Sequence, residues 1–343
     1  MLQRRSTSAA RPQAASTRSS GRSSNPPPHD LFDPGRRYPT ASPRSVPRRR
    51  YPMTRSSDYQ GPALFSYGFR PFFLAATLFG LGVIPVWLLI WHGVLTPGGP
   101  FAPVDWHIHE MIFGYGAAVV AGFLFTAVPN WTGRLPTRGW PLLALLALWV
   151  AGRVSVAGLT GLGPRAVMVI DVAFLLAVAA MIAREIVAGR NWRNLKVLVP
   201  VTLLAAANAA FHLEAQATGL AETSARAGIA VLVFLIMLIG GRIVPSFTRN
   251  WLVKSGSPSR PMPFGPFDIV ALVAGAAALL LWVARPEAAV TAPVLWAAAL
   301  LHLVRMLRWV GMLTFGSPLL TMLHAAYGFV PLGLAAAGLA AAG

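Results

Sequence analysis

Nine mainly apolar runs, near residues 70–91, 109–129, 140–159, 164–183, 197–217, 226–245, 267–284, 288–307 and 317–342, take up most of this 343-residue chain. Each is close to the roughly 20 residues a helix needs to cross a bilayer. In hydrocarbon the backbone must satisfy its own hydrogen bonds, so such runs fold as helices, and they lack the period-two alternation of barrel strands. The expected fold is therefore all-α, a polytopic transmembrane helical bundle of about nine helices. Composition agrees: 55% of the residues are hydrophobic and 12% charged, with a mean hydropathy of +0.58. A soluble domain of this length carries about a quarter charged residues. The absence of cysteine excludes disulfides, thiolate ligands and cysteine-bound iron–sulfur clusters.

The net charge of +18 is unevenly spread. Residues 1–60 hold 12 arginines against Asp30, Asp33 and Asp58, with much Pro and Ser and no aliphatic run. Such a segment buries too little surface to offset the entropy of ordering, so a disordered basic tail is expected, followed by a transmembrane domain over 61–343. No apolar segment follows its basic residues early enough to make a signal peptide. The tail reads as a solvated arm, as translated sequence upstream of a start near Met53, or as an arm for anionic lipid.

Short loops rich in Lys and Arg stay cytoplasmic. With the tail inside, the cytoplasmic loops carry eleven such residues, among them Arg134, Arg138, Arg190, Arg193, Lys196 and Arg260, against three on the other side, Arg165, Arg226 and Arg285. The N-terminus is thus expected in the cytoplasm, and the expected partner is the lipid bilayer, with no nucleic acid.

A rise of about 1.5 Å per residue then assigns each polar group a depth. Near the outer face lie His92, Asp105, His107, His109, Glu110, Asp171, His212 and Glu214; near the inner face lie His302 and His324. Ionisable groups in a membrane cost roughly 2.5–3.5 kcal/mol each on insertion scales and persist where they line a pathway, pair or bind metal. Imidazoles converging on one layer fit a metal or haem site, which makes His107, His109, His212 and His324 the candidate ligands. On a helix His107 and His109 point about 200° apart while His107 and Glu110 share a face; in an extended segment the two histidines face together. The bland alternative for each is an interfacial anchor. Asp105 is expected to cap its own helix, and Arg153 with Asp171 to form a buried ion pair locking a hairpin. Asn130, Trp131 and Arg134 end the second run; Arg242 and Arg249 end the sixth. With Glu110 they are candidate cofactor-binding groups, the arginines and amides gripping haem propionates or another anion. The alternative is interfacial anchoring of the tryptophans, with the arginines snorkelling to water.

At these residues the chain resembles a known family. The resemblance rests on Ser66-Tyr67-Gly68-Phe69-Arg70-Pro71-Phe72-Phe73; on the His107-Ile108-His109-Glu110-Met111 segment with its Gly122-Phe123-Leu124 and Pro129-Asn130-Trp131-Thr132-Gly133 continuation; on Gly240-Gly241-Arg242 through Pro245, Phe247-Thr248-Arg249-Asn250; and on Leu323-His324, Tyr327 and Leu332-Gly333-Leu334. It is similar to the NnrS family of polytopic membrane proteins linked to nitric oxide and denitrification. The resemblance implies haem and copper as cofactors, histidines as their ligands, nitric oxide as the small-molecule partner, relief of nitrosative stress as the role, and the bacterial inner membrane as the location. The family usually has about twelve helices, so a chain of nine is expected to lack the last three. Two other classes stand beside this reading. A membrane redox enzyme of the haem–copper oxidase kind is disfavoured because no His-His pair occurs. A transporter for a small anion or metal is expected to show midplane polar groups, of which Asn208 is the plainest.

Overall fold

The computed structural model describes residues 59–343, which fold into nine long helices. They are α1 (Phe69–Trp91), α2 (Pro103–Thr132), α3 (Trp140–Val156), α4 (Pro164–Ala188), α5 (Leu198–Thr218), α6 (Glu222–Lys254), α7 (Pro266–Ala284), α8 (Thr291–Leu307) and α9 (Pro318–Ala341). No strand occurs among the described residues. The expectations for the basic tail lie almost wholly outside them.

All nine expected spans are present as helices. Seven are long and apolar enough to cross a membrane, while α3 and α8 are apolar but only 17 residues each. Proline sets several starts: Pro103, Pro141, Pro164, Pro266 and Pro318 sit in the first turns, where the missing N–H costs nothing. Two boundaries differ from the apolar runs. Helix α2 starts six residues before His109, so the His107–Glu110 segment is helical, not extended. Helix α6 runs 33 residues, through Pro245 to Lys254. That is about 50 Å of helix, well beyond the ~30 Å hydrocarbon core. The polar Arg242–Asn250 segment is thus a helical extension that hydropathy alone does not reveal.

Consecutive helices pack side by side, and α6 joins two groups. One core is built around Phe72, Phe113, Leu124, Val178, Leu204 and Phe211, contributed by α1, α2, α4 and α5. A second, formed by α6 to α9, includes Met237, Ala278, Leu295 and Leu334. The outside is apolar as well: Leu81, Val169, Leu280 and Phe329 are 64–73% exposed. Large exposed apolar faces are unfavourable in water and normal against lipid.

Alternation of nine helices puts the connections after α2, α4 and α6 on one side and that after α1 on the other. Reporter fusions after Arg138, Arg193 and Ser257 are expected to read from the same compartment, and one after Gly99 from the opposite one. A fusion at Ser257 that sides with Gly99 would show that α3, the short helix between them, or another of α2 to α6 does not cross.

Candidate metal centre

The polar groups buried near one end of α2 to α5 meet in a single network. His109 and Glu110 come from the second turn of α2, Arg153 from the last turn of α3, Asp171 from α4, and Asn208 with His212 from α5. All but Asn208, at the middle of α5, lie toward the same ends of their antiparallel helices, and all six are between 0% and 9% exposed. Little there can be satisfied by bulk water, so the groups turn to one another, though not every atom finds a partner.

Arg153 is the hub for charge. Its Nη1 donates to Glu110 Oε2 at 2.5 Å and its Nη2 to Asp171 Oδ1. The hairpin ion pair expected between α3 and α4 is present and extends to α2. The other oxygen of Asp171 faces α2 and α5: Oδ2 lies 3.0 Å from His109 Nε2, 3.1 Å from His212 Nε2 and 2.8 Å from Asn208 Nδ2, which donates to it. Asn208 Oδ1 in turn sits 2.9 Å from His109 Nε2.

The backbone of α2 changes pitch here. Residues Glu110–Gly116 form a wide π-helical turn, a feature common at functional sites. Trp149 Nε1 of α3 donates to Gly114 O at 3.0 Å, pinning that turn. Gly114 allows the close approach: a Cβ there would lie 2.5 Å from Glu110 Oε2 and 2.7 Å from Arg153 Nη1.

His109, Asp171 and His212 each offer one ligand atom within 4.8 Å of the others. Two imidazoles and a carboxylate are a donor set for copper, zinc or iron. Several observations fit a cation. The buried carboxylates Glu110 and Asp171 face one guanidinium, so with neutral imidazoles the cluster carries one uncompensated negative charge. His109 Nδ1, His212 Nδ1 and Glu110 Oε1 have no hydrogen-bond partner. If the Nε2 atoms ligate, the ring protons move to Nδ1, and Glu110 Oε1, 3.8 Å from His109 Nδ1, is placed as the carboxylate that orients a ligating imidazole. A porphyrin does not fit between these rings. Phe101, Phe113 and Phe211 pack on them at centroid distances of 4.7–5.3 Å.

The other candidates lie elsewhere. His107, half-buried on the opposite side of α2, stacks on Trp87 of α1 with centroids 4.5 Å apart and planes 8° from parallel. His324 places Nε2 2.9 Å from Thr248 Oγ1, with its Nδ1 edge against Gly311. His302 has both nitrogens engaged, Nε2 with Ala271 O at 3.0 Å and Nδ1 with the Tyr327 hydroxyl at 2.9 Å. Asn130, Trp131 and Arg242 line one cleft of about 280 Å³ with Asn194 and Lys196, while Arg134 is drawn off into a 2.8 Å ion pair with Glu185. Arg249 shares a second cleft with Arg242.

Asp105 corrects its expectation. The N-terminus of α2 has no side-chain cap, and Asp105 Oδ2 instead accepts the N–H of Ala221, the residue before α6, at 3.1 Å. Glu214 accepts the N–H groups of Thr223 and Ser224 at 2.9 and 2.8 Å, which ties the end of α5 to the start of α6. Sequence reasoning did not list Asn208, Asp171 or Arg153 as site groups. Their signal was depth, since each is a polar residue well inside an apolar run.

Removing the hub leaves two carboxylates buried without a cation. Arg153→Met is expected to cost about 3–5 kcal/mol, the usual penalty for breaking a buried ion pair. The measurement is thermal unfolding of the detergent-purified protein, in which His107→Ala is expected to melt close to the parent. An unchanged melting temperature for Arg153→Met would show that the network does not hold the helices.

No curated protein and no solved structure matches the chain. The family model described as NnrS protein matches residues 63–343, from just before α1 to the end of α9 and including every residue of the cluster. The chain belongs to the NnrS family, multi-pass membrane proteins linked to nitric oxide.

Proposed function

We propose that this protein holds a copper-class cation at His109, Asp171 and His212 and uses that centre to mitigate nitrosative stress. The observation that carries the proposal is the buried donor set with one unbalanced negative charge, unpartnered Nδ1 atoms and Glu110 in reach of His109. When bound there, copper supplies a centre with affinity for nitric oxide and a one-electron couple. Arg153 fixes the orientation of both carboxylates, and the phenylalanines keep water from the donors. Asn208 positions Asp171 by donating to its Oδ2. The loop arginines support an N-terminus in the cytoplasm, which puts this cluster near the outer face; the bacterial inner membrane is the location the family resemblance implies. Haem, the other cofactor implied by the resemblance, has no seat among the imidazoles as they are packed.

The test is copper content of the full chain, purified after expression with copper, together with survival of the producing cells under a nitric oxide donor. His109→Ala, His212→Ala and Asp171→Asn are each expected to lower copper by at least the roughly 10- to 100-fold that even outer-shell losses cause. His107→Ala is expected to retain it. Protection is expected to fall with copper. Occupancy that survives all three substitutions would overturn the assignment, and a protein that binds no copper yet protects would make the cluster a proton-holding one, balanced by a charged His109.

A further inference from the structure

A second buried network occupies the opposite face, where α6 runs past the ends of α7 to α9, and the proposed copper centre makes no use of it. Arg305, in the last turn of α8, is fully buried. Its Nε donates to Asp268 Oδ1 at 2.9 Å, and its Nη1 donates to Met237 O at 2.9 Å and to the Tyr327 hydroxyl at 3.1 Å. Nη2 has no partner. A guanidinium presents five N–H donors, and a bare one in a buried place is costly unless something accepts from it.

The bare nitrogen is packed behind the wall of a cleft. A Cβ on Gly241 would lie 2.3 Å from Nη2, so the guanidinium sits directly on the bare face of this glycine. Gly241, Asp268 and Trp309 line a cleft of about 290 Å³ whose walls also carry Arg242, Ser246 and Arg249. The Arg305 guanidinium carbon sits 5.6 Å from the Trp309 ring centroid, which fixes it behind this wall. Two arginines thus line the cleft with a single carboxylate, and Arg305 stands behind the wall. That carboxylate is already engaged, since Asp268 accepts from Arg305 and from the Gly265 N–H at 3.0 Å, with Arg308 at 3.8 Å. The arrangement has donors in excess and acceptors used up.

We propose that this cleft binds an oxyanion of the phosphate type, gripped by Arg242 and Arg249, with the buried Arg305 behind its wall adding to the positive field. Planar guanidinium groups match phosphate oxygens in pairs, and a cluster of them selects for charge and shape. Lying where α6 leaves the hydrocarbon layer, the cleft is open to the headgroup of an anionic lipid and to phosphate in solution, two sources of the same chemistry.

The full chain, purified in neutral detergent and phosphate-free buffer, is titrated with inorganic phosphate and, separately, with phosphatidylglycerol. Tryptophan fluorescence and thermal melting are followed, with phosphatidylcholine as the lipid control. A saturable response to phosphate assigns the soluble source; a response to phosphatidylglycerol, without one to phosphate or phosphatidylcholine, assigns the headgroup. Arg242→Gln and Arg249→Gln are each expected to weaken binding about tenfold, as loss of one charge-assisted hydrogen bond does. Arg193→Gln, on the connection between α4 and α5, leaves it unchanged. No response to either ligand, or a response that persists when both arginines are replaced, would overturn the proposal.

Discussion

A guanidinium that enters a bilayer must find its counter-charge inside the protein, because lipid offers none. Arg153 meets that constraint by bridging Glu110 and Asp171, and the bridge joins α2, α3 and α4. The spare oxygen of Asp171 then recruits His109, His212 and Asn208, so α5 is drawn into the same knot. Between apolar helices in lipid the hydrophobic effect gives little reason to prefer one neighbour over another, and directed polar contacts supply the choice. Arg305 does the same work on the other side of the bundle, linking α6, α7, α8 and α9 through Met237, Asp268 and Tyr327. Both arginines lie near the C-terminal ends of the two short helices, α3 and α8. A short span carries its last turn below the membrane surface, which is where a buried cation can tie neighbours together.

The nine helices were legible because a run of apolar residues long enough to span has few other folded forms. The full length of α6 was not, since Arg249 and Lys254 read as loop when only hydropathy is followed. Depth placed His109, His212 and Asp171 in one layer correctly. Azimuth was harder: a regular helix sets His107 and Glu110 on one face, yet His107 stacks on Trp87 while Glu110 turns to Arg153. The second network was nearly silent. Asp268 sits in a proline-led first turn, Tyr327 sits in an apolar run, and an arginine two residues from a loop reads as a topology marker.

The two networks differ in their charge surplus, and that separates what each can hold. Around Arg153 the carboxylates outnumber the guanidinium, which favours a cation or a proton. Around Arg305 the guanidinium groups outnumber the carboxylate, which favours an anion. Opposite surpluses at opposite ends of the helices also mean that a ligand at one network does not compete for the groups of the other.

The wide turn at Glu110–Gly116 sets the phase between the two halves of α2. Below it, Ala117, Ala121 and Leu124 face the packed interior; above it, His109 faces Asp171. One residue taken out of that turn would let the helix close to regular pitch, with little change in its length. Seven residues at the wide pitch sweep nearly the angle that about six sweep at the regular one, so the side chains before the turn would keep their direction. The same deletion in the regular stretch that follows would swing them by about 100° and carry His109 off the Asp171 carboxylate. The span would survive either change, so the wide turn is where α2 absorbs a change of length and the regular stretch is where it does not.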